Sequence, residues 1–402
     1  MKDKGIYDCI VIGGGASGLF FAAGLDRPCR GLILEKTGRV GTKLLMSGGG
    51  RCNITHDGDI KDFVKCYGEG GKLIRRVLYR YSNIRLREFL LENGIETYGE
   101  EDGRVFPKSN KASEVLEMLI NRSKRNGFDI LYNSSVIHIA QLEDASGSQE
   151  KIWKVETEDK TFLAKFVVIA TGGCSYPKTG SDGSMLKVIE RDLGLKIVEP
   201  QPALCPLFIK DNPFKELAGL SVDVNLKIGK KSLQGPILFT HEGLSGPAAI
   251  NLSLMAKSGD TMYVNYIYPL VYETALDSLK SKVMGNKKEL GTIVGEYGLP
   301  KNLSRNLANR CKGSIKELAK LLTMDSLIVE QIGDFNVAMA TKGGISLDEM
   351  DFSTMNIRGK NHLCLIGETV DITGFTGGYN LQFAFSSAMV AAENFQKTLA
   401  IS

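Results

Sequence analysis

The feature that most constrains the fold is a short apolar run that ends in a glycine pattern near the start of the chain. Residues 7–12 read YDCIVI, which is typical of a buried parallel strand. Gly13, Gly15 and Gly18 follow in GxGxxG spacing. The first glycine allows a tight turn, the second lets backbone approach a pyrophosphate, and the third lets a helix pack on the strand. We expect that helix to begin at Ala16 and to direct its N-terminal amides at phosphate oxygens.

A second apolar run supports the same kind of domain. Residues 30–34 read RGLIL and end at Glu35, about 20 residues past the turn, where a carboxylate accepts hydrogen bonds from ribose hydroxyls. Glu35 also disfavours a 2′-phosphate at that place, because two negative groups would repel each other. Strand, turn, helix, strand and acid in this order favour a Rossmann-type dinucleotide-binding unit over a purely structural glycine turn.

The segment after the second strand favours a flavin dinucleotide. Residues 38–53 read GRVGTKLLMSGGGRCN, and backbone with so little side-chain bulk can lie directly against a ligand. Lys43 and Arg51 can neutralise the diphosphate or lie near the flavin ring, where a positive charge stabilises the reduced anion. The alternative is a flexible surface loop with solvated charges.

Two later strands end in small or acidic residues in a similar way. Residues 166–173 read FVVIATGG, and residues 362–368 read HLCLIGE. Asp371 and the glycine-rich residues 374–380 come next, and an apolar helix is predicted over residues 381–395. The N-terminus of that helix can receive the pyrimidine carbonyls of a flavin, where negative charge develops.

Together these motifs resemble those of a known family. The chain resembles the BaiN/RdsA-type family of NAD(P)/FAD-dependent oxidoreductases, formerly described as aminoacetone-oxidase-like flavoproteins. The resemblance rests on GGGASG (13–18), GTKLLMSGGGRCN (41–53), DGRVFP (102–107), ATGG (170–173), THEGLSGPA (240–248) and GGYNLQ (377–382).

The resemblance implies FAD as the cofactor and NAD(P)H as the reductant. The FAD contacts that it implies are Gly13, Ala16, Ser17, Glu35, Lys36, Lys43, Arg51, Asn53, Thr171, Gly172, Gly367, Glu368, Asp371, Gly378, Tyr379, Asn380, Leu381 and Gln382. Val136, on a strand predicted over residues 136–140, would meet the adenine through its backbone. The chain departs from many related flavoproteins at Glu368, where they carry Asp.

The length of 402 residues favours about two domains, because single cores stop growing near 250 to 300 residues. A proline-rich stretch at residues 199–206 marks a boundary, since proline cannot continue a helix or donate in a central strand. We therefore predict an α/β protein with a Rossmann-type, glutathione-reductase-like FAD-binding domain and an inserted domain. The predicted parts are 1–198 and 336–402 for the FAD-binding domain, and 199–335 for the insert, with a β part over about 203–268 and a helical part over 272–332.

Cysteine usage and hydropathy exclude several classes. The eight cysteines have no CxxC pair and no nearby histidine cluster, which argues against a dithiol reductase and against a structural zinc or other metal site. We expect free thiols. No window reaches the roughly 20 apolar residues of a membrane span, so we expect a cytoplasmic protein without a membrane partner.

Three residues are candidates for catalysis. His241 lies in FTHEGLSGP, between an apolar strand and an apolar helix, and can exchange a proton beside the flavin or simply shape a turn that caps the helix. Arg104 in DGRVFP can bind an anionic or carbonyl-bearing substrate, or pair with Glu100 or Glu101. Tyr379 can donate a proton or pack against the cofactor.

A basic run gives a possible RNA partner. Lys72 to Arg87 carries six basic and no acidic residues, with Tyr79 and Tyr81 among them, and arginines with tyrosines suit backbone and stacking contacts to RNA. The net charge of +4 is too small to establish such binding. A solvated helix whose Leu73, Val77 and Leu78 face inward explains the run equally well.

The chemistry predicted from the sequence is reduction by a flavin. There is no second GxGxxG, so NAD(P)H has to reach the flavin through a shared or transient site. The leading hypothesis is an FAD-dependent reductase of a conjugated C=C bond, and the family offers two substrate classes, a steroid-like enone and a uracil base in ribosomal RNA. The alternatives are a flavin amine oxidase and a flavin-bearing binding protein without turnover.

Overall fold

The computed structural model describes residues 5–142 and 152–400, and its internal contacts divide the chain into two units. Unit 1 comprises Met1–Gln201 and Ala340–Ser402, and unit 2 comprises Pro202–Met339. Helices and strands are numbered in chain order.

The first part of unit 1 contains β1 (Tyr7–Ile12), α1 (Ala16–Ala23), β2 (Gly31–Leu34), α2 (Thr42–Met46), β3 (Thr55–His56), α3 (Ile60–Lys65), α4 (Gly70–Arg80), α5 (Asn83–Glu92), β4 (Thr97–Gly99), β5 (Arg104–Pro107), α6 (Ala112–Arg125), β6 (Phe128–Leu131), β7 (Val136–Leu142), β8 (Ile152–Thr157), β9 (Thr161–Ile169), α7 (Ser184–Leu193) and β10 (Ile197–Ala203). Unit 2 contains β11 (Leu207–Ile209), β12 (Ser221–Ile228), β13 (Lys231–Phe239), β14 (Gly243–Ser245), α8 (Gly246–Leu252), β15 (Thr261–Asn265), α9 (Tyr272–Val283), α10 (Leu290–Gly295), α11 (Lys301–Arg310), α12 (Ile315–Met324) and β16 (Asp325–Ile332). The last part of unit 1 contains β17 (Ala340–Ile345), β18 (Met350–Asp351), β19 (Asn356–Ile357), β20 (Lys360–Leu365) and α13 (Tyr379–Leu399).

The main sheet of unit 1 is built around β1. This strand pairs in parallel with β2 on one side and with β9 on the other, and parallel pairing continues to β6 and to β20. Cys9, Ile10 and Val11 are completely buried, as expected for a parallel strand that is covered on both faces. Helices α1 and α13 pack on each other, with 5.4 Å between the ring centres of Phe20 and Phe385. The Rossmann-type architecture predicted from the sequence is confirmed.

Antiparallel strands extend this sheet on the side of β9 that faces away from β1. Strands β7 and β8 form a meander with β9, and β18 and β19 continue beyond β20. A separate three-stranded sheet has the order β3-β5-β4, and its register pairs His56 with Arg104. The proline-rich stretch forms β10, which pairs only with β17 among the described strands. A strand of a two-stranded sheet has a free edge, so proline is tolerated there.

Unit 2 contains a closed barrel with strand order β11-β14-β13-β12-β15-β16. Residues 221–228, within the predicted β part, form a strand with Val222, Val224 and Leu226 buried in alternation with more exposed residues. The prediction of helix through residue 332 was wrong for its last part. Helix α12 ends at Met324, and β16 closes the barrel. Leu327 and Val329 alternate with exposed neighbours, which is the period of a strand.

The basic run lies on two helices, α4 and α5, rather than on one. Val77 and Leu78 are buried as predicted, but Leu73 is 50% exposed, so its predicted inward orientation was wrong. The buried side of α4 is formed by Ile74, Val77 and Leu78. Leu73 lies about 100° around the helix from Ile74 and therefore falls on the flank of the buried side.

The chemical inventory of the described residues adds three observations. The eight cysteines are free thiols. Among residues 5–142 and 152–400, no helix has the length and hydrophobicity needed to cross a membrane. Within the same ranges, no three His, Cys, Asp or Glu side chains are grouped in a way that could hold a metal ion.

A buried ion pair in unit 2 leads to a stability prediction. Arg310 donates to both carboxylate oxygens of Asp325 at 2.8 and 2.6 Å, and the hydroxyl of Tyr266 donates to the same carboxylate at 3.0 Å. The Asp325 side chain is only 1% exposed, so Arg310→Ala would leave a buried charge without its cation. We expect the free energy of unfolding to fall by about 3–5 kcal/mol, measured by urea denaturation followed by circular dichroism. Arg85→Ala, which breaks an exposed pair with Glu88, should change the free energy of unfolding little. Equal losses of unfolding free energy in the two variants would contradict the prediction.

Candidate active site

The glycine turn between β1 and α1 has the geometry of a phosphate-binding turn. Gly13 has a φ of +103°, and a Cβ there would lie 2.6 Å from the carbonyl oxygen of Ala170. A Cβ at Gly18 would lie 2.1 Å from the carbonyl oxygen of Gly13, so this glycine lets α1 pack closely on the strand. A Cβ at Gly15 would meet only the Ala170 oxygen, at 3.9 Å. The backbone at Gly15 therefore faces open space, into which a pyrophosphate can fit.

The first turn of α1 leaves its amides available. The helix begins at Ala16, and none of the described side chains caps it. Uncapped amides at a helix N-terminus form a favourable site for phosphate. Ser17 is buried in this turn, and a Cβ at Gly367 would lie 2.6 Å from its hydroxyl oxygen. The turn after β20 therefore lies against the start of α1.

Glu35 is held rigidly at the end of β2. One carboxylate oxygen accepts from the amide of Gly14 at 2.9 Å, and the other accepts from the amide and hydroxyl of Thr37, both at 2.8 Å. A carboxylate has about four acceptor positions, so capacity remains for hydroxyl donors. The neighbouring Lys36 is directed elsewhere, toward Asp182 at 2.5 Å. Contact of Glu35 with a ribose stays a prediction.

Lys43 and Glu368 form an ion pair that joins two distant parts of the chain. The Lys43 ammonium donates to Glu368 at 2.7 Å and to the hydroxyl of Ser175 at 2.7 Å. The second oxygen of Glu368 accepts from the amide of Thr341 at 2.6 Å. Both carboxylate oxygens at position 368 are thus hydrogen-bonded. Ser175 and Thr341, which the sequence analysis missed, belong to this network.

The end of β9 provides an orphaned polar group beside this pair. The hydroxyl of Thr171 is buried and has no hydrogen-bond partner among the described residues. Gly172 has a φ of +72°, and a Cβ there would lie 3.7 Å from a carboxylate oxygen of Glu368. Since buried hydroxyls are almost always satisfied, Thr171 fits a site that is completed by a polar ligand. The open Gly15 backbone and this hydroxyl are both consistent with a bound FAD.

The pair also leads to a binding prediction. Lys43→Met would leave the Glu368 carboxylate without its cation close to the phosphate-binding turn, where it would repel an anionic dinucleotide. We expect FAD affinity to fall at least about tenfold, as for loss of a charge-assisted hydrogen bond, measured by fluorescence titration of apoprotein. Lys154→Met is the matched control, because Lys154 is paired with Glu156 at similar exposure. Equal affinities of the two variants would contradict a role for Lys43.

The loop before α13 is fixed by its own side chains. Asn380 accepts from the amide of Gly374 at 2.8 Å, and the buried Gln382 accepts from the hydroxyl of Thr55 at 2.6 Å. The N-cap residue Gly378 has a φ of +101°, and no described side chain caps α13. The uncapped amides of this helix, at Tyr379 to Leu381, are therefore available to an acceptor, whereas the side chain of Gln382 is not.

The other predicted cofactor residues are placed as follows. Arg51 pairs with Glu100 at 2.6 Å and lies 4.0 Å over the Phe106 ring; hydrogen bonding to Glu100 raises the pKa of Arg51. Asn53, with its amide oriented to satisfy both groups, accepts from the amide of Gly378 at 3.2 Å and donates to the Thr55 carbonyl at 3.0 Å. Asp371 accepts from the amide of Gly343 at 2.7 Å. Val136 is buried at the start of β7.

Two of the three catalytic candidates converge on a histidine that the sequence analysis missed. His56 is the cross-strand partner of Arg104, and its ring stacks on Tyr379 with 5.1 Å between ring centres and 17° between planes. We call these three residues the His56 cluster. The cluster borders the glycine-rich loop, because a Cβ at Gly377 would lie 3.6 Å from the His56 ring.

Backbone groups hold the His56 ring in place. Its Nδ1 lies 2.5 Å from the carbonyl oxygen of Asp57, and its Nε2 lies 3.1 Å from that of Asp102. Gly103 makes room for the ring, since a Cβ there would lie 2.2 Å from it. Both nitrogens therefore face acceptors, and a neutral ring can donate to only one of them.

Arg104 and Tyr379 are also held by neighbours. Arg104 pairs with Asp102 at 2.7 Å and with Glu100 at 3.0 Å. The pair with Glu100 is one of the alternatives that the sequence offered. Burial, and secondly a hydrogen bond with Cys66, raise the pKa of Tyr379 far above its usual value. Tyr379 thus keeps its proton at any physiological pH.

His241 is placed apart from these residues in the chain, in unit 2. It lies on an exposed turn between β13 and β14, where Asn212 donates to the carbonyl oxygens of Thr240 and His241 at 3.2 and 3.1 Å. None of the described side chains caps α8, so His241 does not act as a cap there. Its catalytic role stays a prediction.

Comparison with known proteins places this geometry in a family. A family model described as the HI0933-like protein Rossmann domain matches residues 7–394. The chain is similar to a ribosomal RNA dihydrouridine synthase of Haemophilus influenzae, with 28% identity over 95% of this chain and 97% of the relative. It is equally similar to a 3-dehydro-bile acid Δ(4,6)-reductase of Clostridium scindens, with 28% identity over 95% of this chain and 97% of the relative.

Solved structures show the same fold at low identity. A 3-ketosteroid-Δ4-(5α)-dehydrogenase of Rhodococcus jostii aligns with a TM-score of 0.52 and 15% identity, covering 97% of each chain. A 3-ketosteroid Δ1-dehydrogenase of Sterolibacterium denitrificans aligns with a TM-score of 0.53 and 12% identity, covering 98% of this chain and all of the other. With the family model and the two relatives, the resemblance found in the sequence is confirmed: the chain belongs to the HI0933-like Rossmann-domain family and is an FAD-dependent oxidoreductase.

Proposed function

We propose that this protein uses NAD(P)H to reduce a conjugated C=C bond, and that the bond belongs to a uracil base in ribosomal RNA. The names of the two relatives support the reaction class. They differ in substrate, ribosomal RNA in one case and a 3-dehydro-bile acid in the other. Both describe saturation of a C=C bond conjugated to a carbonyl, which is the chemistry that we propose for this chain.

The cofactor site is assigned to the residues around the glycine turn. The amides of Gly15 to Ser17 would hold the pyrophosphate, and Glu35 would hold the adenosine ribose. Thr171 and the Lys43–Glu368 pair would contact the ribitol or phosphate side of FAD. Bound FAD supplies hydride transfer, which no amino-acid side chain provides. The side chains of the protein must then bind the substrate and deliver a proton to it.

The observation that carries the proposal is the His56 cluster. Saturation of an enone requires one proton for the carbon next to the carbonyl, and a hydrogen-bond donor at the carbonyl oxygen strengthens the electrophile. Histidine is the side chain that ordinarily exchanges a proton in enzymes, and His56 is the histidine of this cluster. The guanidinium of Arg104 offers hydrogen-bond donors only, and burial raises the pKa of Tyr379, which therefore also serves as a donor. We assign the proton to His56, whose Nε2 gives up its contact of 3.1 Å with the Asp102 carbonyl to reach the substrate. Carbonyl recognition is assigned to Arg104, with Tyr379 holding the His56 ring.

A steroid-like enone is the second candidate substrate. The bile-acid reductase is as similar to this chain as the ribosomal RNA enzyme, so sequence identity does not separate them. The distribution of charge on α4 favours RNA, because a small steroid needs no extended positive surface.

The experiment that tests the proposal separates the two half-reactions. Protein loaded with FAD is reduced anaerobically with NADH or NADPH, and an unmodified ribosomal RNA transcript is then added. We expect the flavin to be reoxidised while dihydrouridine forms in the RNA. The control is the same transcript after chemical reduction of its uridines, which no longer offers the C=C bond of uracil and should leave the flavin reduced.

Two other outcomes would redirect the proposal. Reoxidation by a 3-oxo-Δ4 steroid, with no response to RNA, would establish the second candidate. Reoxidation only by oxygen, coupled to loss of an amine, would overturn reduction of a C=C bond altogether.

A further inference from the structure

One face of α4 carries a compact group of exposed cations. Lys72, Arg75, Arg76 and Tyr79 are all exposed, whereas Ile74, Val77 and Leu78 form the buried face of the helix. The four exposed residues follow the spacing i, i+3, i+4, i+7, which places them on one side of a helix. They span about 10 Å along its axis. We call them the α4 basic face.

The cations of this face differ from the other cations of the basic run. Arg80 contacts Glu393, Arg85 pairs with Glu88 at 3.1 Å, and Arg87 pairs with Asp57 at 2.5 Å.

By contrast, no carboxylate within the described ranges lies at ion-pair distance from Lys72, Arg75 or Arg76. Glu69, just before the helix, is the acid nearest to them in the sequence, and it makes no ion pair within those ranges either. Within residues 5–142 and 152–400, the charge of the α4 basic face is therefore uncompensated, which makes it available to an anionic partner.

The face also offers flat surfaces for stacking. The Arg75 guanidinium lies 5.2 Å from the centre of the Tyr79 ring, and the Tyr79 side chain is 40% exposed. A guanidinium and an aromatic ring that lie together present planar surfaces on which an unpaired base can stack. The exposed Leu73 beside them adds apolar surface.

We propose that the α4 basic face is an RNA-docking surface, on which Lys72, Arg75 and Arg76 contact phosphates and Tyr79 with Arg75 stacks a base. The proposal rests on the proposed function, because it takes RNA as the substrate class. The observations favour RNA over an anionic membrane, since the face combines arginines with an aromatic stack instead of an apolar helix side that could enter lipid. RNA backbone supplies repeated phosphates at the short spacing of these cations.

The test measures RNA binding directly, without turnover. A fluorescently labelled, unmodified ribosomal RNA stem-loop is titrated with FAD-loaded protein at several salt concentrations, and anisotropy gives the dissociation constant. The variant Lys72→Gln/Arg75→Gln/Arg76→Gln should bind at least about tenfold more weakly at low salt. Each phosphate contact contributes about 0.7 to the slope of log K against log salt for single strands, so the slope should become less steep by about 2.

A matched variant controls for net charge. Lys287, Lys316 and Lys320 of unit 2 are exposed lysines without an ion-pair partner in the described part of the chain. The variant Lys287→Gln/Lys316→Gln/Lys320→Gln removes the same three charges and should keep both affinity and slope. Equal losses of RNA affinity in the two triple variants would show that the overall positive charge attracts the RNA, and would overturn the proposal. Flavin absorbance and melting temperature verify that both variants are folded.

Tyr79 separates stacking from charge. Tyr79→Ala should weaken RNA binding about fivefold or more without changing the salt slope, whereas Tyr79→Phe should bind as the wild type does. Binding to phosphatidylserine vesicles that is as strong as binding to RNA, and is lost in the α4 triple variant, would overturn RNA in favour of a membrane surface.

Failure of this inference and failure of the proposed function give different results. If the α4 triple variant loses RNA binding but no dihydrouridine forms with the wild type, the docking surface stands and the assignment of the reaction falls. If dihydrouridine forms but the triple variant binds RNA normally, the reaction stands and RNA docks elsewhere.

Discussion

Alanine at Gly15 is expected to leave the apoprotein as stable as the wild type and to lower its FAD affinity at least about 100-fold. The backbone at Gly15 has a φ of −78°, which alanine adopts freely, and the added Cβ meets only one protein atom at 3.9 Å. The methyl group would instead occupy the space beside the amides that bind pyrophosphate. Loss of two charge-assisted hydrogen bonds, at about 1.5–3 kcal/mol each, gives the expected change in affinity.

Alanine at Gly13 is the matched comparison. Its φ of +103° is strained for any residue with a Cβ, and the Cβ would lie 2.6 Å from backbone oxygen. We expect this variant to lose at least about 2 kcal/mol of unfolding free energy even without FAD. Thermal melting of the two apoproteins and fluorescence titration with FAD measure both effects. Normal FAD affinity in Gly15→Ala would show that the pyrophosphate does not approach this residue.

Asparagine at His56 is expected to slow reoxidation of the reduced enzyme by its substrate about 100-fold or more, as for loss of a general acid. Asparagine retains hydrogen-bonding capacity but cannot donate a proton to carbon. Because the proton is needed only in the transition state, the loss should appear in the maximal rate rather than in the substrate concentration at half-maximal rate. Stopped-flow absorbance of the flavin measures both quantities.

The control and the contradicting result use other histidines. His138 lies on β7 and contacts Asp192 at 2.9 Å, and His138→Asn should react at the wild-type rate. A large loss of rate in His241→Asn together with a normal rate in His56→Asn would favour the histidine first suggested by the sequence.

Arg104→Lys should chiefly weaken substrate binding, because lysine cannot reproduce the planar donor pair of arginine.

The sequence predicts the parts of the site that depend on short-range geometry. The roles of Gly13 and Gly18 follow from the spacing of a single turn, and the structure confirms both through φ and the distances that a Cβ would have. The strand over residues 221–228 falls within the predicted β part of the insert. Helix through residue 332 was a wrong prediction, since the apolar residues after Met324 have the period of a strand.

The His56 cluster was not predictable in this way. Its three residues are brought together by the register of β3 against β5 and by the position of α13, which begins more than 300 residues after His56. In the sequence His56 is a lone histidine beside threonine, and nothing local distinguishes it from a surface residue. The glycine of DGRVFP was the available signal, because Gly103 makes room for an imidazole ring.

The order of strands in the main sheet has a consequence for synthesis on the ribosome. Strand β9 ends at Ile169, but its parallel neighbour β20 ends at Leu365, 196 residues later. At about 5–20 residues per second, the edge of β9 at Val167 to Ile169 waits roughly 10–40 seconds for its partner. An open edge of a buried, apolar strand readily pairs with other chains. The nascent chain must protect this edge until the last strand arrives.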